Sequence, residues 1–145
     1  MDFSERRGDE SFSAELHQQA ATRRKTVLVV DDDTKLLRAL QRSLADEDYQ
    51  LFVAVSAAEA KAFLNTTPVD LVISDNLMHG ELGTEFLAAV SRKYPDIELM
   101  MLSGYLPTDA AKKALDDIGI ARILSKPCQS SELGLAIREA LRLAP

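Results

Sequence analysis

The chain has 145 residues, a single cysteine and a formal net charge of −6, with 46% hydrophobic and 28% charged residues. That length and balance belong to one soluble globular domain able to bury a proper core. The acidic surplus argues against direct nucleic-acid binding, which needs a basic surface to displace counterions from phosphates, and no apolar run is long enough to span a bilayer.

Met1 to Arg7 has no apolar core before a cleavage site, so no secretion signal is read there. Cys128 stands alone, which excludes an internal disulfide and points to a reducing cytoplasm. It reads as a small apolar residue rather than a redox group. Residues 1–25 form an extension, flexible or folded as one short helix, with a weak apolar stripe at Phe12, Leu16 and Ala20. That stripe is too short to fold alone, and His17 within it is expected to face solvent.

The folded part, residues 26–145, opens on Val27-Leu28-Val29-Val30, a continuous apolar run typical of a strand buried on both faces of a parallel sheet. Asp31, Asp32 and Asp33 follow directly. Unpaired charge is too costly to continue into a core, so these acids belong in a crevice at the strand's end. Adjacent carboxylates repel unless a cation lies between them, which suggests a divalent metal. The alternative is a helix start, with Asp33 as N-cap and the other acids favouring the helix dipole.

Leu36, Leu37, Leu40 and Leu44 recur at helical spacing over residues 34–45, and the aromatic and branched stretch 49–55 reads as a second strand. Ser56-Ala57-Ala58-Glu59 is a capping box opening a helix that buries Ala60, Phe63 and Leu64, and Asn65 to Pro68 stops it. Residues 69–74 form a third strand ending in Asp75. A loop over 76–83 carries two glycines, Gly80 and Gly83, able to supply positive φ. Residues 84–94 are helical with Phe86, Leu87 and Val90 inward, and 97–102 form a fourth strand delivering Ser103-Gly104. A helix over 108–118 closes at Gly119, and a short strand at 122–125 delivers Lys126-Pro127. A last helix over 130–143 turns Leu133, Ile137 and Leu141 inward. Five alternations of strand and helix with short connections mean an α/β fold, a parallel sheet covered by helices on both faces.

In open α/β sheets sites form outside the carboxyl ends of the strands. Those ends carry Asp31 and Asp32, then Asp75, Ser103 and Lys126. Three carboxylates, a hydroxyl and a lysine suit phosphoryl transfer to a carboxylate. Mg²⁺ takes one or two carboxylates plus water and phosphate oxygens, and an aspartate can act as nucleophile to form an aspartyl phosphate. Lysine and a hydroxyl can bind the phosphoryl oxygens, and Gly104 leaves room beside them. Taken singly, Asp75 could begin a turn, Ser103 cap a helix and Lys126 sit on the surface.

Residues 26–143 resemble the receiver domain of two-component response regulators. The resemblance rests on Val27 to Asp33, on Asp70 to Asp75 with Met78 and Gly83, on Leu102-Ser103-Gly104 and on Ser125-Lys126-Pro127, in that order and at that spacing. It implies a flavodoxin-like, five-stranded sheet of order 2-1-3-4-5, for which receivers are a standard example. It also implies Asp75 as phospho-acceptor and Mg²⁺ (or Mn²⁺) held by Asp31 through water, by Asp32, Asp75 and the backbone carbonyl of Leu77. Ser103 matches the switch hydroxyl and Lys126 the phosphate-pairing lysine, with a cis peptide between Lys126 and Pro127.

Two positions depart from the family pattern. His79 stands where proline is usual, four residues after the acceptor; losing the fixed φ loosens the loop, and an exposed, idle ring is expected. Ile123 stands where the family has the aromatic that turns inward as the hydroxyl moves. Tyr105, two residues after Ser103, is the candidate for that readout, with the signal carried by residues 104–112.

The function implied is a phosphorylation switch, with the phosphoryl group coming from a histidine kinase or histidine phosphotransfer protein. The chemistry is self-modification and slow self-hydrolysis, not turnover of a free substrate. Output to a protein target, or pairing into a homodimer, is expected through the fourth helix, fifth strand and fifth helix. The sequence given ends two residues past the last helix with no output domain in it, so a single-domain regulator, a relay protein or the receiver portion of a longer chain is expected. One alternative is a haloacid-dehalogenase-like phosphatase, whose D-x-D-x-[T/V] signature Asp31-Asp32-Asp33-Thr34 misses by one position. The other is an interaction module that keeps the fold without the switch.

Overall fold

A computed structural model describes residues 24–105 and 107–143. The stripe at Phe12, Leu16 and Ala20, and His17, lie outside the described residues. In chain order the elements are β1 (Thr26–Val30), α1 (Thr34–Ser43), β2 (Gln50–Ala54), α2 (Ala57–Thr66), β3 (Leu71–Asp75), β4 (Leu77–Met78) and β5 (Glu81–Leu82). Then follow α3 (Gly83–Lys93), β6 (Glu98–Ser103), α4 (Asp109–Ile118), β7 (Ile120–Ser125) and α5 (Ser130–Ala140).

β1 sits inside the sheet because every one of its residues is tolerated on a buried face. Its neighbours are β2 and β3, both parallel, with Val27 between Leu51 and Leu71 and Val30 between Ala54 and Ser74. The whole sheet runs β2-β1-β3-β6-β7. With the short β4 and β5 set aside, this is the expected 2-1-3-4-5 order.

Strand alternation splits the apolar residues between two cores. Leu28, Val30, Val72, Leu99 and Met101 meet Ala60, Leu64, Phe86, Leu87, Val90 and Leu115 of α2, α3 and α4 on one face. Val27, Val29, Leu71, Ile73, Met100 and Leu102 meet Leu37, Leu40, Leu133 and Ile137 of α1 and α5 on the other. Each fully buried branched or aromatic side chain contributes about 1.5–3 kcal/mol. The three central strands therefore hold the sheet edge rigidly where the acids emerge.

Three helix starts, those of α1, α2 and α4, follow their capping residues. The Asp33 carboxylate accepts from the N–H groups of Lys35 and Leu36 at 3.1 and 3.2 Å. Ser56 accepts from Glu59 N–H at 3.1 Å, and Thr108 from Ala111 N–H at 3.2 Å. Gly119 ends α4 at φ +95°, a left-handed turn that glycine makes at no steric cost.

Three local expectations need correction. The segment after Asp75 is not a plain loop: Leu77 pairs with Leu82 and Met78 with Glu81 in a two-residue antiparallel ladder turned at Gly80, φ +85°. A ladder that short leaves no period in the sequence. Gly83 does not supply positive φ; it is needed because a Cβ there would lie 2.0 Å from the carbonyl oxygen of Asp75. The last helix ends at Ala140, not Leu143, although Leu141 is still buried.

Candidate functional site

The carboxyl ends of β1, β3, β6 and β7 meet at one edge, and backbone hydrogen bonds continue past each strand. Asp31 N–H donates to Ala54 O at 3.1 Å, Asn76 N–H to Leu102 O at 2.9 Å and Lys126 N–H to Ser103 O at 2.8 Å. These bonds carry the polar residues into the crevice in fixed register.

Carboxylate oxygens of Asp31, Asp32 and Asp75 come within 4.8 Å of one another. Lys126 Nζ reaches over them, 2.8 Å from Asp31 Oδ2 and 3.2 Å from Asp75 Oδ1. Asp31 was expected in a solvent-reachable crevice, yet it is fully buried. Its charge is tolerated there because Lys126 pairs with one oxygen and Asp33 N–H donates to the other at 2.9 Å. Asp32 is partly exposed; its Oδ2 accepts from His79 N–H at 3.2 Å and lies 2.7 Å from His79 Nδ1. His79 is thus almost wholly exposed but not idle, since it touches a carboxylate of the site.

Asp75 is buried, and its carboxyl pKa lies above the ordinary value. Burial is the main cause and the charge of Asp31 the second; Lys126 and a hydrogen bond from Leu77 N–H pull the other way. For Lys126, burial is the largest single influence and lowers the pKa. The hydrogen bond and charge of Asp31, with those of Asp75, outweigh it together, so the ammonium is held charged. Ser74 Oγ donates to the Asp75 carbonyl at 2.9 Å, fixing the backbone from which the carboxylate projects.

Ser103 does not face the acids through a hydrogen bond. Its Oγ donates to Tyr105 O at 2.7 Å and accepts from Tyr105 N–H at 3.2 Å. The Lys126–Pro127 peptide is cis, as the resemblance implied. Burial pushes the Cys128 thiol pKa up, the opposite of what a reactive thiolate needs.

The donor set fits a hard divalent cation. Three clustered carboxylates against one ammonium leave two negative charges uncompensated among these residues. All donors are oxygens, as Mg²⁺ and Mn²⁺ prefer.

Of the residues read at the strand ends, the structure brings Asp31, Asp32, Asp75 and Lys126 together, while the Ser103 hydroxyl is engaged with Tyr105. Sequence reading missed the Asp31–Lys126 pairing, the His79 contact and the close approach of Gly83. The first two join residues far apart in the chain across loops, where no periodicity reports a contact.

The family model for the response regulator receiver domain matches residues 27–138. The chain belongs to the response regulator receiver family. It is 36% identical over 116 residues to the hydrogenase transcriptional regulatory protein HoxA of Cupriavidus necator, covering 80% of this chain and 24% of HoxA. With the transcriptional regulatory protein GlrR of Escherichia coli it shares 35% identity over 115 residues, 79% of this chain and 26% of GlrR. The chain therefore spans about a quarter of the length of these relatives.

Among solved structures it resembles the signal receiver domain of an HD domain-containing protein from Pseudomonas fluorescens. That match has a TM-score of 0.76 and 36% identity, and covers 83% of this chain and 96% of that one. A CheY-like receiver domain from Methanospirillum hungatei matches at TM-score 0.76 and 27% identity, covering 82% and 94%. No helix among the described residues is long and apolar enough to cross a membrane.

Proposed function

We propose that this domain is a phosphorylation switch of a two-component system with Asp75 as the phospho-acceptor. The observation that carries the reading is the convergence of Asp31, Asp32, Asp75 and Lys126 at one sheet edge. An oxygen of Asp75 attacks the phosphorus of a phosphohistidine on a kinase or phosphotransfer protein. The new O–P bond forms as the P–N bond breaks, its electron pair staying on the imidazole, which takes up a proton. The product is an acyl phosphate, which water later cleaves to restore the carboxylate.

Lys126, already 3.2 Å from Asp75 Oδ1, is placed to pair with phosphoryl oxygens. Ser103, at the end of the neighbouring strand, supplies a hydroxyl that can turn to donate to another. Bound Mg²⁺ or Mn²⁺, held by Asp31, Asp32, Asp75 and the Leu77 carbonyl, would neutralise charge on the incoming phosphoryl group. Output passes to a protein target through the α4, β7 and α5 face.

Incubation with acetyl phosphate and Mg²⁺, followed by intact mass analysis, tests the assignment. Wild type should gain one phosphoryl group and the Asp75→Asn variant none. Equal incorporation in both would overturn the acceptor assignment. Steady hydrolysis of a small phosphomonoester would instead identify a phosphatase, and no incorporation in wild type an interaction module.

A further inference from the structure

His79 is held over the acids by the hairpin that carries it. Met78 pairs with Glu81 across the turn, which leaves His79 and Gly80 as its two central residues. Gly80 takes φ +85°, a conformation glycine adopts without strain. Buried Met78 ties the first strand of the hairpin to the core. Gly83 closes the second, its N–H donating to Asn76 O at 2.8 Å. The turn therefore keeps a fixed relation to the crevice, although the His79 side chain is 98% exposed.

Two nitrogens of His79 converge on one carboxylate oxygen. The backbone N–H lies 3.2 Å from Asp32 Oδ2, and Nδ1 lies 2.7 Å from the same atom. Lys126 pairs with Asp31 and Asp75 and leaves Asp32 to His79. The acid cluster thus meets two side-chain nitrogens of different chemistry. An ammonium has no lone pair to give, whereas a neutral imidazole has one. Only His79 can add a nitrogen donor to a cation held by these acids.

The spacing suits a shared ion. Adjacent donors of an octahedral ion with bonds of about 2.1 Å sit about 3 Å apart. The 2.7 Å between Nδ1 and Asp32 Oδ2 needs only a small opening to reach that separation. Because the ring is exposed, Nε2 can keep its proton in water while Nδ1 turns its lone pair to the ion.

We propose that His79 is a further ligand of the divalent-cation site, through Nδ1, and that it shifts the site's preference from Mg²⁺ towards first-row ions such as Co²⁺ and Zn²⁺. Mg²⁺ is a hard ion that keeps oxygen ligands and water, and it has little use for imidazole. Co²⁺ and Zn²⁺ bind imidazole well. The hairpin turn then becomes part of the ion's shell, and a loop residue sets which cation the acids retain. This inference rests on the reading of Asp31, Asp32 and Asp75 as cation ligands.

Calorimetric titration of the full chain with MgCl₂, CoCl₂ and ZnCl₂ tests it, in a His17→Ala background that leaves His79 as the sole imidazole. First-row ions outrank Mg²⁺ at most sites, so the diagnostic is what His79→Ala removes. It should weaken Co²⁺ and Zn²⁺ binding by about 10–100-fold and Mg²⁺ binding by less than about threefold. Nitrogen-15 spectra of the histidine ring give a readout that needs no change at position 79: Zn²⁺ should move the Nδ1 resonance and leave Nε2 protonated. Equal losses for the three ions, or none, overturn the inference, since a residue that merely positions Asp32 would treat all three alike. An Nδ1 resonance that Zn²⁺ leaves in place overturns it too. Either result leaves the acid cluster standing where Asp32→Asn abolishes Mg²⁺ binding. A chain that binds none of the three ions overturns both readings.

Discussion

Tyr49 is 2% exposed, and among the described residues its hydroxyl has no hydrogen-bond partner. Burial, then the charge of Glu47, pushes its pKa up to about 12, with Arg138 opposing. Arg138 is itself committed to Glu47 and Asp48, at 2.6 and 3.1 Å. The neutral phenol is thus the form the fold prefers. Its contribution is fully present below the unfolded pKa near 10 and is lost as pH rises through about 12, by about 2–3 kcal/mol. Tyr49→Phe keeps the ring and removes a desolvated hydroxyl, so it should be as stable as wild type at neutral pH, or more stable by about 1 kcal/mol. Denaturant melts from neutral pH to pH 12 check both statements: wild type should fall away from the variant only at the alkaline end. Parallel curves across the range would refute the burial argument.

At the scale of an element, α3 is positioned by what its first residue lacks. Leu82, the N-cap, offers no side-chain hydrogen bond, so the helix is not located by a cap. It is located by Gly83, whose N–H donates to Asn76 O at 2.8 Å and whose α-carbon presses against the backbone of Asp75. A methyl group there would meet a carbonyl oxygen and carbon of the backbone, which cannot rotate away as a flexible side chain would. Gly83→Ala should therefore cost about 1–3 kcal/mol of stability. It should also slow phosphorylation by acetyl phosphate several-fold, because either α3 or the Asp75 backbone must shift. Gly80→Ala makes the useful comparison. There a Cβ meets nothing within 4 Å, but φ is +85°, so strain should lower stability while the acceptor backbone stays put. A Gly83→Ala protein that is destabilised but phosphorylated at the wild-type rate would separate helix docking from acceptor geometry.

Across the whole molecule, the sheet was readable because its central strands are apolar on both faces, and the site because its strands end in charged or hydroxyl residues. Val27 to Val30 followed by Asp31 states both facts in five residues. Unreadable were the contacts between loops: nothing in the sequence says that Lys126 pairs with Asp31, or that His79 touches Asp32. Those contacts depend on how separate strand ends come into register, a property of the assembled sheet. The assembled cluster has a consequence for global stability. Asp75, with its pKa raised by burial and by Asp31, is a charge the metal-free fold holds at a cost. Its folded pKa lies above the unfolded one, so this cost is absent at low pH and grows as pH rises through the folded value. Asp75→Asn should then melt above wild type without divalent ions. Each kcal/mol of relieved repulsion should give a shift of roughly 2–4 °C. Mg²⁺ should reverse the ranking, since a ligand bound only by the folded state stabilises it, by about 1.4 kcal/mol at ten times its Kd. Wild type should gain most, and Asp75→Asn and Asp32→Asn little. Thermal melts of the three proteins with EDTA and with Mg²⁺ measure this crossing, and melting curves that rise equally for all three would place the cation elsewhere than among Asp31, Asp32 and Asp75.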